Sequence, residues 1–412
     1  MLNWFIRGSV RAGCSLAEAS RLYPRLDRDS IFKAAAKRSN RQVLDDPLAE
    51  EPLARMLDSY INDVEMNSIG RIALSSRMSD LLCMRAWLRD REERGELVPV
   101  ESTAPPLIVT GFPRTGTTFS HRLLACAPDA RWPELCETIF PVLPPEIPIH
   151  KARKKRLRRV QFGERIVRAC APGLRSIHEL VPDGPEECTA LHEMALDSES
   201  IGLVGECRAY RDWIESRDSA RRQERYRMQE MCFRSIIADR PEDKRHGRWV
   251  LKAPQHLLGL DELFEQYPDA KVVRMHRDPV DAMASLASLV ATTAKIVTRG
   301  INLEVGDDLL ETFIDWQIAG DEACERYPDS ILEVRYVDLV RDPVGFVRRV
   351  HDFSGIPCTE QHIAAVEKHC ASRPRHHFGA HTYRLDTYGL DTTTVRTQTE
   401  QYCQRIDALP GW

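Results

Sequence analysis

The chain has 412 residues, with 58 Lys plus Arg against 62 Asp plus Glu and a formal net charge of -4. With 42% hydrophobic and 29% charged residues it has the composition of a globular protein with enough apolar material for a full core. That excludes collagen-like, low-complexity and largely disordered chains, and the near-neutral balance gives no reason to expect nucleic-acid binding.

No apolar run reaches the roughly 18 residues of a membrane-spanning helix, so no transmembrane segment is expected. The stretch Met1 to Arg7 is too short in apolar residues for the core of a signal peptide, and Arg11 spoils a lipoprotein reading of Cys14. The twelve cysteines are scattered with no Cys-x-x-Cys, which predicts reduced thiols in the cytoplasm. His192-Glu193 and His178-Glu179 open like a zinc-protease helix, but Leu196 and Pro182 stand where the second histidine belongs. His369, His376, His377 and His381 lack a ligand spacing, so no metal is expected.

Residues 1–100 read as a helical N-terminal region. Asp45 to Met56 and Asn67 to Arg91 carry apolar residues at three- and four-residue intervals, for example Leu74, Met78, Leu81 and Leu82, and Gly95 follows as a stop. Ala104-Pro105-Pro106 then leads into the apolar run Leu107 to Thr110. Similar runs recur at Trp249 to Lys252, Lys271 to His276 and Ile331 to Tyr336, with helical stretches such as Leu257 to Tyr267 and Asp307 to Arg326 between them. Strands alternating with helices predict an α/β domain over 101–412: a mostly parallel central sheet flanked by helices, with a helical insertion at about 139–245. The insertion opens on the basic run Lys151 to Arg159, which reads as a solvated helix face, with contact to a membrane or an acidic partner as the alternative.

The strand at Leu107 runs into Gly111-Phe112-Pro113-Arg114-Thr115-Gly116-Thr117-Thr118-Phe119 and out through a helix from Phe119 to Ala125. Gly111 and Gly116 have the spacing of a P-loop, whose backbone N–H groups and helix start cradle phosphate oxygens. The Walker lysine is missing: Thr117 takes its place, and the cation is Arg114 inside the loop. One cation and three threonine hydroxyls around an anion nest predict an anion site.

Pro113 to Phe119 resembles the 5′-phosphosulfate loop of sulfotransferases that use 3′-phosphoadenosine 5′-phosphosulfate (PAPS). The resemblance implies that Arg114, Thr115, Gly116, Thr117 and Thr118 grip the 5′ phosphate and sulfate, and that Phe119 flanks the adenine. A second match follows strand Lys271 to His276, where Arg277 and Ser285 stand at the spacing of the family's arginine and serine on the 3′-phosphate. Arg335-Tyr336 with Asp342-Pro343 resembles a third family segment, which implies that Tyr336 approaches the adenine. Arg373 and Arg375 loosely match a basic segment that the family often keeps for the 3′-phosphate. The resemblance covers roughly 105–390 and implies a P-loop-like fold, PAPS as cofactor and adenosine 3′,5′-bisphosphate as product, without a metal.

Lys252-Ala253-Pro254-Gln255-His256 ends a strand on the sheet edge that holds the loop. Lys252 is placed to meet the leaving phosphate, and His256, with an ordinary pKa of about 6.5, to take a proton from the acceptor hydroxyl. Glu187 is the carboxylate favoured to serve or orient that base, with Glu186 and Glu137 as further candidates. The resemblance implies in-line displacement that moves the sulfuryl group of PAPS to a hydroxyl or amine of an acceptor, which reads only as a small molecule, lipid or carbohydrate. The alternatives are a nucleotide-dependent kinase, which would need the Walker lysine, and a non-catalytic nucleotide-binding protein, which would not need Lys252 with His256.

Overall fold

β1 (Ala104–Thr110) is the central strand of a five-stranded, wholly parallel sheet. Across the sheet the order is β2 (Ala130–Arg131), β3 (Arg248–Lys252), β1, β4 (Lys271–His276) and β5 (Ile331–Arg335). The computed structural model describes residues 24–41, 45–99, 104–170, 180–199, 207–242, 245–299, 306–372 and 385–411. After β1 the chain builds the β3 side of the sheet, then crosses to β4, so the strand order reverses at β1. In open parallel sheets such a reversal leaves a crevice outside the carboxyl ends of the strands.

Period-two alternation distributes the core over both faces. Ile108, Leu251 and Val272 point into one cluster, shared with Leu53, Met78, Leu81 and Leu82 of the N-terminal helices and with Tyr226 and Phe233 of helix Ser219–Asp239. Leu107, Val109, Val250, Val273 and Met275 point into the other, against Leu123 and Leu124 of helix Thr117–Leu124 and Phe346, Val350 and Ile363 of the later helices. The N-terminal helices Pro47–Asn62 and Ser68–Glu93 therefore pack onto the sheet layer within one common core.

Some boundaries differ from the sequence reading for identifiable reasons. β1 begins at Ala104, three residues early, and its register on β3 shifts between Ala104 and Leu107, where Pro105 and Pro106 have no N–H to give to the ladder. The single helix expected from Leu257 to Tyr267 is two: a 3-10 turn over Pro254–Leu258 and helix Leu260–Gln266, broken at Gly259. Tyr336 opens helix Tyr336–Arg341 instead of ending β5. Pro279–Val297 is long and apolar enough by composition to cross a membrane, but it is a sheet-flanking helix here, with Ala282 to Ala287 buried.

One buried ion pair ties the N-terminal region to the insertion. Arg85 Nε donates to Asp46 at 2.6 Å and Nη2 at 3.0 Å, while Nη1 donates to the Met194 carbonyl at 2.6 Å. The two side chains are only 3% and 0% exposed. Removing one partner of such a pair strands a buried charge, so Asp46→Ala should cost about 3–5 kcal/mol in urea unfolding. A loss below about 1 kcal/mol, as for a surface pair, would contradict this placement.

Candidate functional site

The loop leaves β1 at Gly111, where φ is +139° and a Cβ would lie 2.4 Å from the Met275 carbonyl. Phe112 anchors it, buried edge-on against Phe313 and Trp316 of helix Gly306–Arg326 at 4.8 and 5.7 Å between ring centroids. Arg114 holds φ at +71°, a conformation that costs a non-glycine residue about 1–2 kcal/mol. Gly116 caps helix Thr117–Leu124 with φ at +97°, and a Cβ there would meet the Tyr336 ring at 2.5 Å. Thr117 and Thr118 open that helix, where backbone N–H groups and the helix dipole favour an anion. Thr115 departs from the expectation of three hydroxyls facing an anion. Its side chain is buried and its hydroxyl donates to the Phe112 carbonyl at 2.7 Å, which braces the turn. Phe119 packs, partly buried, against the core cluster under the sheet.

The residues expected at the two ends of the cofactor meet directly. Arg114 Nε donates to Ser285 Oγ at 2.9 Å, and Arg277 Nη1 donates to the Arg114 carbonyl at 3.0 Å. The Arg277 guanidinium lies 4.7 Å above the Tyr336 ring, the same ring that faces Gly116. Arg277 also reaches Asp281 at 3.3 Å, while its Nε is buried without a partner among the described residues. Elements invisible to sequence reasoning hold this cluster. Arg396 pairs with Asp278 at 2.7 Å, and the Tyr402 hydroxyl donates to the Arg277 carbonyl at 3.4 Å. Asp278 itself caps helix Pro279–Val297, accepting from the Val280 and Asp281 N–H groups. Arg373 and Arg375 lie outside the described residues.

Lys252 ends β3 directly beside Val109 of β1, and it is buried. Its ammonium contacts the Glu187 carboxylate. The neighbouring backbone sets this meeting. Residues 182–186 lie along 133–136 through bonds such as Leu135 N to Gly184 O, and Cys188 N donates to the Lys252 carbonyl at 2.8 Å. Glu187 is about a quarter exposed, so this end of the pair opens to solvent. Glu186 turns inward and accepts the Glu187 N–H. Glu137 is not placed as a base: both its oxygens are held by Arg240, and one also accepts the Glu134 N–H in a capping box.

His256 is buried, a setting that differs from the imidazole of ordinary pKa expected. The 3-10 turn is stitched to β1 by Thr110 Oγ1, which donates to the Ala253 and Pro254 carbonyls. The histidine ring is fully buried, stacked on Tyr226 at 5.7 Å and edge-on to His192 at 5.0 Å. Burial, helped by Arg225 and Lys252, pushes its pKa down to about 3, so the ordinary basicity expected of it is lost. The Tyr226 hydroxyl lies 3.2 Å from Nδ1, and burial keeps that phenol protonated. With no other acceptor for its hydrogen among the described residues, Tyr226 donates to Nδ1, which leaves the imidazole hydrogen on Nε2. That Nε2 is buried without a partner among the described residues. Nothing in the sequence around Tyr226, thirty residues upstream on another helix, signals this contact.

A sequence model of the sulfotransferase family matches residues 105–360, well over half of the chain. The chain belongs to the sulfotransferase family. This sulfotransferase is similar in structure to sulfotransferase STF9 from Mycobacterium avium, at 25% identity and a TM-score of 0.78 over 94% of this chain and 99% of that one. Sulfotransferase STF1 from Mycobacterium tuberculosis H37Rv shares the fold, with a TM-score of 0.74 over 90% of this chain and 98% of that one at 24% identity. Among curated proteins, omega-hydroxy-beta-dihydromenaquinone-9 sulfotransferase Stf3 of Mycobacterium bovis is 26% identical over 169 residues, 40% of this chain and 41% of that protein. The match thus spans about two fifths of that relative's length.

The buried histidines of this sulfotransferase predict a specific acid sensitivity. Burial lowers His121 and His256 to about 3 and His276 to about 4, and holds His192 well below its ordinary value. In the unfolded chain each takes up a proton near pH 6.5, so below that point the unfolded state binds more protons than the folded one. Stability should be fully present above about pH 6.5 and fall steadily as the pH drops toward about 4. Urea unfolding midpoints across that range check it, and a flat profile between about pH 7 and 5 would contradict it.

Proposed function

We propose that this sulfotransferase moves the sulfuryl group of PAPS to a hydroxyl of a small, lipid-like acceptor, in the cytoplasm, releasing adenosine 3′,5′-bisphosphate. The observation that carries the reading is the single cluster in which Arg114, Ser285, Arg277 and Tyr336 meet beside the loop helix, with Lys252 on the adjoining strand. Two arginines, a helix start and a buried Arg277 Nε–H with no partner among the described residues suit a ligand with anionic groups at both ends. Arg114 and the first turn at Thr117 and Thr118 would hold the 5′ groups, with Arg277 and Ser285 on the 3′-phosphate and the Tyr336 ring beside the adenine. The lipid class of acceptor is supported by the quinone acted on by the Stf3 relatives, and a reducing compartment by the free thiols of the described cysteines.

PAPS, when bound, supplies a sulfuryl group whose sulfur–oxygen bond to phosphate breaks as the bond to the acceptor oxygen forms. The protein's part is then positioning and charge stabilisation. Lys252, buried at the strand end next to the loop, meets charge at the departing oxygen once an anion competes with Glu187 for its ammonium. Glu187, released from that pair and open to solvent, takes the acceptor proton. His256 is assigned a donor's role in place of the expected base: its Nε2 carries a hydrogen, fixed by Tyr226, and offers it to an oxygen.

Turnover with radiolabelled PAPS and a panel of lipid alcohols tests the assignment. Glu187→Gln should keep nucleotide affinity and lose about 10²–10⁴ in turnover, the range for a positioned base. His256→Ala should leave the ascending limb of the pH–rate profile in place. Near-normal turnover in Glu187→Gln, with that limb lost in His256→Ala, would return the base to the histidine.

A further inference from the structure

The helix Ile149–Cys170 carries nine Lys and Arg residues against one carboxylate, Glu164, in a protein whose net charge is -4. Its cations divide into two sets. Arg153 pairs with Glu134 at 2.9 Å, Arg156 with Asp239 at 2.6 Å and Arg168 with Glu164, while Arg159 lies over the Phe140 ring at 3.9 Å. Arg153, Arg156 and Arg159 hold the helix to the body, with Ala152 and Val160 buried beneath it, while the Arg168–Glu164 pair lies within the helix. The other set faces outward. Lys151, Lys155, Arg158 and Arg165 have no ion-pair or hydrogen-bond partner for their side chains among the described residues, and neither does Lys154 at their flank.

The spacing of the outward set makes it a single surface. Positions 151, 155, 158, 162 and 165 follow the i, i+4, i+7, i+11, i+14 pattern that places residues in one stripe of an α-helix. Among them is Phe162, 65% exposed, the most exposed of the large apolar side chains among the described residues. A phenyl ring standing in water amid four cations costs free energy without serving the fold. On an anionic bilayer both features are satisfied: the cations sit against lipid phosphates and the ring enters the acyl boundary. A soluble polyanion would satisfy only the charge.

We propose that this stripe is a membrane-docking surface that seats the enzyme on an anionic lipid bilayer. It goes beyond the transfer chemistry and stands whether or not the assignments of base and cofactor hold, because none of its residues belongs to the site.

Co-sedimentation with phosphatidylcholine vesicles, with and without roughly 30% phosphatidylglycerol, tests it. The full-length protein should bind the anionic vesicles, not the neutral ones, and release as salt is raised. The quadruple substitution Lys151→Gln, Lys155→Gln, Arg158→Gln and Arg165→Gln should lower the partition coefficient by about 10²–10³-fold, since each surface cation contributes near 1 kcal/mol. Phe162→Ser should lower it about tenfold with the salt dependence unchanged. All positions are exposed, so unchanged thermal melts should accompany these losses. No binding by the wild type, or unchanged binding in the quadruple variant, would overturn the proposal. So would a Phe162→Ser protein that binds vesicles as well as the wild type while soluble heparin competes fully, which would assign the stripe to free polyanions.

Discussion

The hydrogen bond from Arg114 to Ser285 is the contact on which the site depends. It joins the loop to helix Pro279–Val297, with the main chain at Arg114 in a left-handed conformation. That conformation costs about 1–2 kcal/mol, and the neighbours that offset it are identifiable. Arg277 donates to the Arg114 carbonyl, Thr115 bonds back to Phe112, and Phe112 is locked among aromatic rings. The loop is thereby preorganised by side chains from the ends of β1 and β4 and from helices Pro279–Val297 and Gly306–Arg326, so little ordering remains to be done when an anion arrives.

Around this charged rim the protein places neutral or compensated polar groups. His121 binds the Val250 carbonyl from inside the loop helix at 2.9 Å, and its low pKa keeps it uncharged next to Lys252. His256 is neutral for the same reason, and His276 is held between Glu333 and Tyr402. Among the described residues Arg114, Lys252 and Arg277 bring positive charge to the loop, and burial of further cations would only raise the desolvation cost.

The strands and the loop were legible in the sequence because both signals are local. β4 runs over Lys271–His276 as its apolar run predicts, and the glycine pair 111 and 116 fixes the turn at the end of β1. Arg277 and Ser285 were legible as a spacing, but their junction with Arg114 was not, since it depends on a backbone angle at a non-glycine residue. The fate of His256 was the least accessible. Its environment comes from Tyr226 and His192, both distant in sequence, and burial lowers the basicity that its residue type implies. Glu137 misled in the opposite way: a carboxylate soon after the loop helix is held by Arg240, a partner about a hundred residues on.

The central claim is that the Arg114–Ser285–Arg277 cluster reads a nucleotide phosphorylated on its 3′ side. Calorimetric titration with adenosine 3′,5′-bisphosphate and with adenosine 5′-monophosphate tests it most directly, in the wild type and in Arg277→Ala. The account predicts that the wild type binds the bisphosphate tighter by about 10- to 100-fold, the worth of hydrogen bonds to a charged group, and that Arg277→Ala removes most of that preference. Equal affinity for the two nucleotides in the wild type, or a preference that survives in Arg277→Ala, would contradict it.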